Sequence, residues 1–180
     1  MRVDAPIERR TFLRWTGMGA GLVALSRIRP AAVALAAEEG SLRVLGPDEA
    51  RIMGAIAERM VFTGDPDMPR FGDTQGLATI DTALLQCPEN VRTQLSWALT
   101  IFEYGPPVLA LRLSTFTGLD AAAQDEYLRA WSESRFGALR LGFQAFKNLS
   151  YLGYYSQDAT WKGIHYDGPW APRPRRRIEA

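Results

Sequence analysis

The sequence predicts an all-α protein, a single compact domain of about five or six helices behind an N-terminal export leader. Apolar residues recur at three- and four-residue steps in several windows, the period of a helix with one buried face. Breaks rich in glycine, proline and aspartate, such as "TGDPDMPRFGD", separate these windows. No run alternates at period two for long enough to form a strand.

The first element is an address rather than part of the core. "ERRTFLRWTGMGAGLVALS" has a basic start and then an apolar run rich in glycine and alanine, the layout of a secretory leader. Arg9 and Arg10, followed by Thr11, Phe12 and Leu13, resemble the twin-arginine export signal, in which a receptor reads the arginine pair. Arg27 and Arg29 interrupt the apolar region before "AAVALAA", which offers Ala-x-Ala cleavage candidates at Ala32–Ala34 or Ala34–Ala36. The division expected is an export signal over 1–37, a helical domain over 38–170 and a basic disordered tail over 171–180. Twin-arginine export carries folded proteins, so this address implies assembly in the cytoplasm and a periplasmic destination.

The body then reads as successive helices. In "LGPDEARIMGAIAERM", Pro47 suits a first helical position and Asp48 and Glu49 complement the helix dipole. Ile52, Met53, Ile56, Ala57 and Met60 share a face. "LATIDTALLQ" makes a short helix closed by Pro88. "PENVRTQLSWALTIFEY" follows, with Val91, Leu95, Ala98, Leu99 and Phe102 on one side and Gly105–Pro106–Pro107 as its expected stop. "PPVLALRLSTFTGL" reads as either a short buried helix or an extended stretch. Asp120 is the expected N-cap of "AAAQDEYLRAWSES", where Tyr127, Leu128 and Trp131 share a face. The longest periodic run, "SRFGALRLGFQAFKNLSYLGYY", places Phe136, Leu139, Phe143, Phe146, Leu149 and Leu152 at helical spacing as core. A further short helix at about 158–163, begun by Ser156 or Asp158, would bring Trp161 back against it.

Composition narrows the function classes. The 180 residues carry a net charge of +1, but six arginines against two acids lie within residues 1–37. The remainder is therefore acidic, with eighteen acidic against fifteen basic residues, which argues against nucleic acid as a partner. One cysteine and one histidine exclude a disulfide framework and a cysteine-cluster metal site. No dinucleotide fingerprint, phosphate-binding loop or nucleophile elbow occurs. Cys87, at a helix end beside proline, reads as a packing residue, and His165 as exposed or bonded to backbone. Asp125 and Glu126 are adjacent and face different directions on a helix, so they cannot clamp a proton or metal together. The expected catalytic, cofactor and metal sites in this chain are therefore none.

"YYSQDATWKGIHYDGPW", residues 154–170, concentrates aromatic rings among turn residues. With the leader, "AIAERMVF" and "LDAAAQDEYLRAWSES", it resembles the gluconate 2-dehydrogenase subunit 3 family, small subunits of membrane-associated FAD-dependent sugar dehydrogenases. The resemblance spans roughly Leu45 to Trp170 and is most specific at Tyr154–Tyr155–Ser156, Thr160–Trp161–Lys162 and Tyr166–Asp167–Gly168–Pro169. It implies a non-catalytic subunit that binds a large glucose–methanol–choline-type subunit holding FAD, assists its maturation and carries it through the twin-arginine translocase. A multihaem cytochrome c subunit often completes such complexes. Tyr154, Tyr155, Trp161, Tyr166, Pro169 and Trp170 are the expected docking residues, since Tyr and Trp offer large contact area with a polar tip. Two other classes stay open: an assembly protein for another exported oxidoreductase, and an independent periplasmic enzyme using His165 with a carboxylate such as Asp167.

Overall fold

A computed structural model describes residues 42–109 and 114–168. The export-signal residues Arg9, Arg10, Phe12 and Leu13, the docking candidates Pro169 and Trp170, and the basic tail lie outside the described residues. Among the described residues the chain is all-α and contains no strand. The helices are α1 (Pro47–Val61), α2 (Gly76–Leu85), α3 (Glu89–Leu109), α4 (Ala121–Ser132) and α5 (Gly137–Tyr155). Short 3-10 turns at Phe71–Asp73, Phe116–Gly118, Asp158–Thr160 and Lys162–Ile164 fill the connections.

α1 begins as its sequence directs, with Pro47 in the first turn and Asp48 and Glu49 behind it. Glu49 reaches back to accept the Gly46 N–H at 2.8 Å, the return half of a capping box. Gly46 has no side chain to supply the other half. α4 begins at the expected cap, Asp120, whose Oδ1 accepts the Ala123 N–H at 2.8 Å. α1 packs chiefly on α5, and α5 also carries α2 and α4.

The core is organised around one ring. Phe102 of α3 is fully buried and meets Phe116 at 4.6 Å, Trp131 at 4.7 Å, Tyr127 at 4.9 Å and Phe146 at 5.2 Å between ring centroids. Most of these pairs are edge-to-face, the arrangement favoured by ring quadrupoles. Met53 and Ile56 of α1, Ile80 and Leu84 of α2, and Leu149 of α5 continue the same core.

Two buried carboxylates join segments that apolar packing alone does not fix. Asp81 of α2 accepts the successive backbone N–H groups of Arg43, Val44 and Leu45 at 2.7, 2.9 and 2.8 Å. A carboxylate satisfied by three amides holds the chain against α2 just before α1 starts. Glu103 of α3 accepts from the Thr117 N–H at 3.1 Å, the Thr117 hydroxyl at 2.5 Å and Arg51 Nη1 at 3.3 Å. Arg51 also donates to the Thr117 hydroxyl, so α1, α3 and the Phe116–Gly118 turn meet at one charged cluster.

Three expectations are corrected. α3 does not stop at Gly105–Pro106–Pro107 but runs through it to Leu109. Gly105 lacks the Cβ that would clash with a following proline, so it keeps the helical conformation, although both prolines withdraw an N–H from the ladder. Phe136 is not core; it precedes α5 and is 56% exposed beneath the Arg135 guanidinium. The buried face of α5 is Gly142, Ala145, Phe146, Leu149, Ser150, Gly153 and Tyr154, with Leu139 and Phe143 at its margin. Small residues admit neighbours there: a Cβ on Gly153 would lie 2.8 Å from the Gly76 carbonyl oxygen. Finally, the helix expected at 158–163 is two consecutive 3-10 turns, preceded by Gln157 rather than capped by Ser156 or Asp158.

Asp81→Asn keeps the size of the side chain but turns a donor toward one of three amides. It should lower unfolding free energy by about 2–3 kcal/mol, read from denaturant midpoints at unchanged m-value. Burial pushes the Tyr127 phenol up to about 12, partly offset by the neighbouring Trp131 indole. The folded pKa lies above the unfolded value near 10, so this contribution is intact below pH 10 and disappears as pH rises toward 12. Tyr127→Phe should therefore lose less stability than the parent chain across that alkaline window, measured by urea unfolding at each pH.

Candidate docking surface

The 154–166 stretch is first a device for ending α5. The last carbonyls of a helix have no partners within it and must find others. Here Trp161 Nε1 donates to the Tyr155 carbonyl at 2.9 Å, and Thr160 Oγ1 donates to the Tyr154 and Gln157 carbonyls at 3.1 and 2.8 Å. Ser156 Oγ donates to the Leu152 carbonyl at 2.5 Å, and Gln157 Nε2 to the Gly153 carbonyl at 3.3 Å. Gln157 Nε2 also reaches Thr79 Oγ1 on α2 at 3.1 Å, which ties this clasp to the core.

The aromatic residues of the stretch divide between core and surface. Tyr154 is 1% exposed and donates its hydroxyl to the Pro69 carbonyl at 2.7 Å. That bond joins α5 to the loop after α1, and burial raises the Tyr154 pKa. Tyr155 is half-buried, with its ring 5.2 Å from Tyr154 and 5.7 Å from Tyr151. Trp161 is half-buried and meets Tyr166 edge-on at 5.1 Å. Tyr166 is 42% exposed and Ile164 49%, so these two side chains form the open edge of the clasp. Tyr154, expected as a docking residue, therefore serves the core, because its hydroxyl is committed to Pro69.

His165 is exposed at the end of the last 3-10 turn, with φ of 51° in the left-handed region. Asp167 beside it is exposed as well. Cys87 is buried, its Sγ 3.5 Å from the Ala83 carbonyl, and burial pushes its thiol pKa up while Arg92 offsets part of the rise. A raised thiol pKa suits a packing residue rather than a nucleophile. Asp125 is occupied by Arg59, which donates through Nε at 2.8 Å and Nη2 at 2.6 Å. Among the described residues no group of three His, Cys, Asp or Glu side chains converges as a metal site, and no helix is long and apolar enough to cross a membrane.

A second open surface was not anticipated. Trp97, Ile101 and Tyr104 are 63%, 48% and 61% exposed and stand at four- and three-residue steps along α3, opposite its buried face. The signal was present as a second apolar line in "WALTIFEY", hidden by the stronger inner line from Val91 to Phe102.

Comparison of the chain with protein-family models, curated proteins and solved structures finds no match.

Trp161→Phe retains a ring but removes the donor to the Tyr155 carbonyl. It should cost about 1 kcal/mol of folding stability, seen as a lowered thermal midpoint of the isolated protein without any partner.

Proposed function

We propose that the chain is the non-catalytic small subunit of a periplasmic, membrane-associated FAD-dependent sugar or alcohol dehydrogenase. In this reading it binds a large glucose–methanol–choline-type subunit in the cytoplasm, supports its maturation and supplies the twin-arginine signal for the pair. FAD belongs to the large subunit, and a multihaem cytochrome c would pass electrons to the membrane. The observation that carries the proposal is the open edge formed by Ile164 and Tyr166 on the hydrogen-bonded clasp. It lies in the stretch where the family resemblance is most specific.

The physical case is preorganisation. Trp161 is held by the Tyr155 carbonyl and in turn supports the Tyr166 ring, so the edge exists before a partner arrives. An ordered aromatic edge loses less conformational entropy on binding than a mobile one. A partner that covers it stabilises both folded subunits by mass action. Trp161 then acts through positioning, and Tyr166 and Ile164 make the contact.

Purification of the tagged chain from its source should bring down a flavoprotein containing FAD. Tyr166→Ala should weaken that complex roughly tenfold or more while leaving the small subunit's own thermal midpoint nearly unchanged. Replacing Arg9 and Arg10 together by lysine should leave both subunits in the cytoplasmic fraction. Export of the large subunit by that double variant would remove the carrier role.

A further inference from the structure

The outer face of α3 is the larger unexplained apolar feature of the domain. Trp97, Ile101 and Tyr104 are exposed there, and the half-buried Gln94 stands one step before them. The steps from Gln94 to Tyr104 are three, four and three residues. That alternation keeps one seam of a helix facing a second helix. The inner line of α3, from Val91 to Phe102, already faces the core, so the outer seam is surplus to the packing of this domain.

The seam carries no charge. Between Asn90 and Tyr104 the charged side chains are Arg92 and Glu103. At 3.6 residues per turn, both project about 100° or more away from the line joining Trp97 to Tyr104. Glu103 is buried on Arg51 and Thr117, and Arg92 lines a cleft shared with Arg43, Glu49 and Glu89. An uncharged seam neither selects a charged partner nor repels its own copy.

We propose that α3 pairs with α3 of a second copy, antiparallel, through Gln94, Trp97, Ile101 and Tyr104. A two-fold axis level with Leu99 sets each Trp97 beside Ile101 of the other copy, and each Tyr104 beside Gln94. The layers span about 15 Å of helix, at a rise near 1.5 Å per residue. Every layer sets a ring against a smaller side chain, so no two rings compete for one space. The antiparallel direction keeps the two Glu89 carboxylates about 30 Å apart along the helices, beyond a screening length of about 8 Å. Parallel pairing would place them side by side. Trp97 and Tyr104 supply most of the contact, on the order of 500 Å² per copy with their neighbours. About 1,000 Å² in all lies at the lower limit for a specific interface, so the dimer is weak and reversible. Ile164 and Tyr166 take no part, so pairing through α3 is independent of docking on a flavoprotein.

Sedimentation equilibrium of the full chain tests this. The weight-average mass should rise from one chain towards two between about 1 and 500 μM. Ile101→Glu and Trp97→Lys, each alone, should raise the dissociation constant roughly tenfold or more, because each sets like charges near the axis. Mixed in equal amounts, these two chains should pair with each other more tightly than either pairs with itself. One layer then sets opposite charges together, and its symmetry mate keeps Trp97 against Ile101. Both positions are exposed, so thermal midpoints should stay near that of the parent. If a charged variant lowers the midpoint, Trp97→Ala gives the same reading without adding charge. A parent chain that stays monomeric at the highest of these concentrations would overturn the proposal, as would pairing that none of the variants weakens. A mixture no tighter than its components would overturn the antiparallel arrangement. A parent that stays monomeric, with loss of a co-purifying flavoprotein from the Ile101→Glu chain, would give the face to that partner instead.

Discussion

The packing of Phe102 against four other rings is the constraint on which the rest of this fold depends. Phe116, Tyr127, Trp131 and Phe146 come from three different elements, and each contacts the same side chain on α3. A ring held on several sides cannot rotate without displacing its neighbours, since protein interiors pack at crystal-like density. Phe102 thereby sets the rotation of α3 about its own axis. Once that rotation is set, Val91, Leu95 and Leu99 must face inward, and Trp97, Ile101 and Tyr104 must face outward. The core ring and the exposed line are two results of one registration.

Polar contacts supply what the rings cannot, which is the course of the connecting segments. Apolar burial is non-directional and would tolerate several paths for residues 42–46 or 114–118. Asp81 selects one path by taking three consecutive amides, and Glu103 selects the other by taking both polar groups of Thr117. Each carboxylate is almost fully buried, so losing its partners would expose the whole desolvation cost. The same division holds at the end of α5, where side-chain donors finish the helix and apolar contact only supports them.

Much of the helical layout was legible in the sequence because its signals are local. Pro47 with its acidic first turn and Asp120 as a cap each act within four residues, and the structure uses them as read. The inner face of α3 was legible for the same reason. Gly105–Pro106–Pro107 misled because stop signals compete with tertiary packing, and here Gly105 and Pro106 are buried in a helix already fixed by Phe102. Phe136 misled because hydrophobicity does not say whether a residue at a helix boundary points inward. At the aromatic stretch, composition revealed that the rings matter but not which serve the core. That depends on the Tyr154 bond to Pro69, a contact across 85 positions that no local pattern encodes.

The pairing of α1 with α5 also has a consequence during synthesis. α1 packs mainly against a helix that begins roughly ninety residues later in the chain. A ribosome adding about 5–20 residues per second delivers that partner some seconds after α1 has emerged. Ile52, Met53 and Ile56 are buried in the finished fold, and through that interval the helix on which α1 mainly packs is absent. The nascent chain therefore carries the apolar positions of α1 before the helix that covers them has been made, and a segment of that length is only marginally helical alone. The core cannot be complete before then, because Phe146, Leu149 and Tyr154 of α5 are part of it.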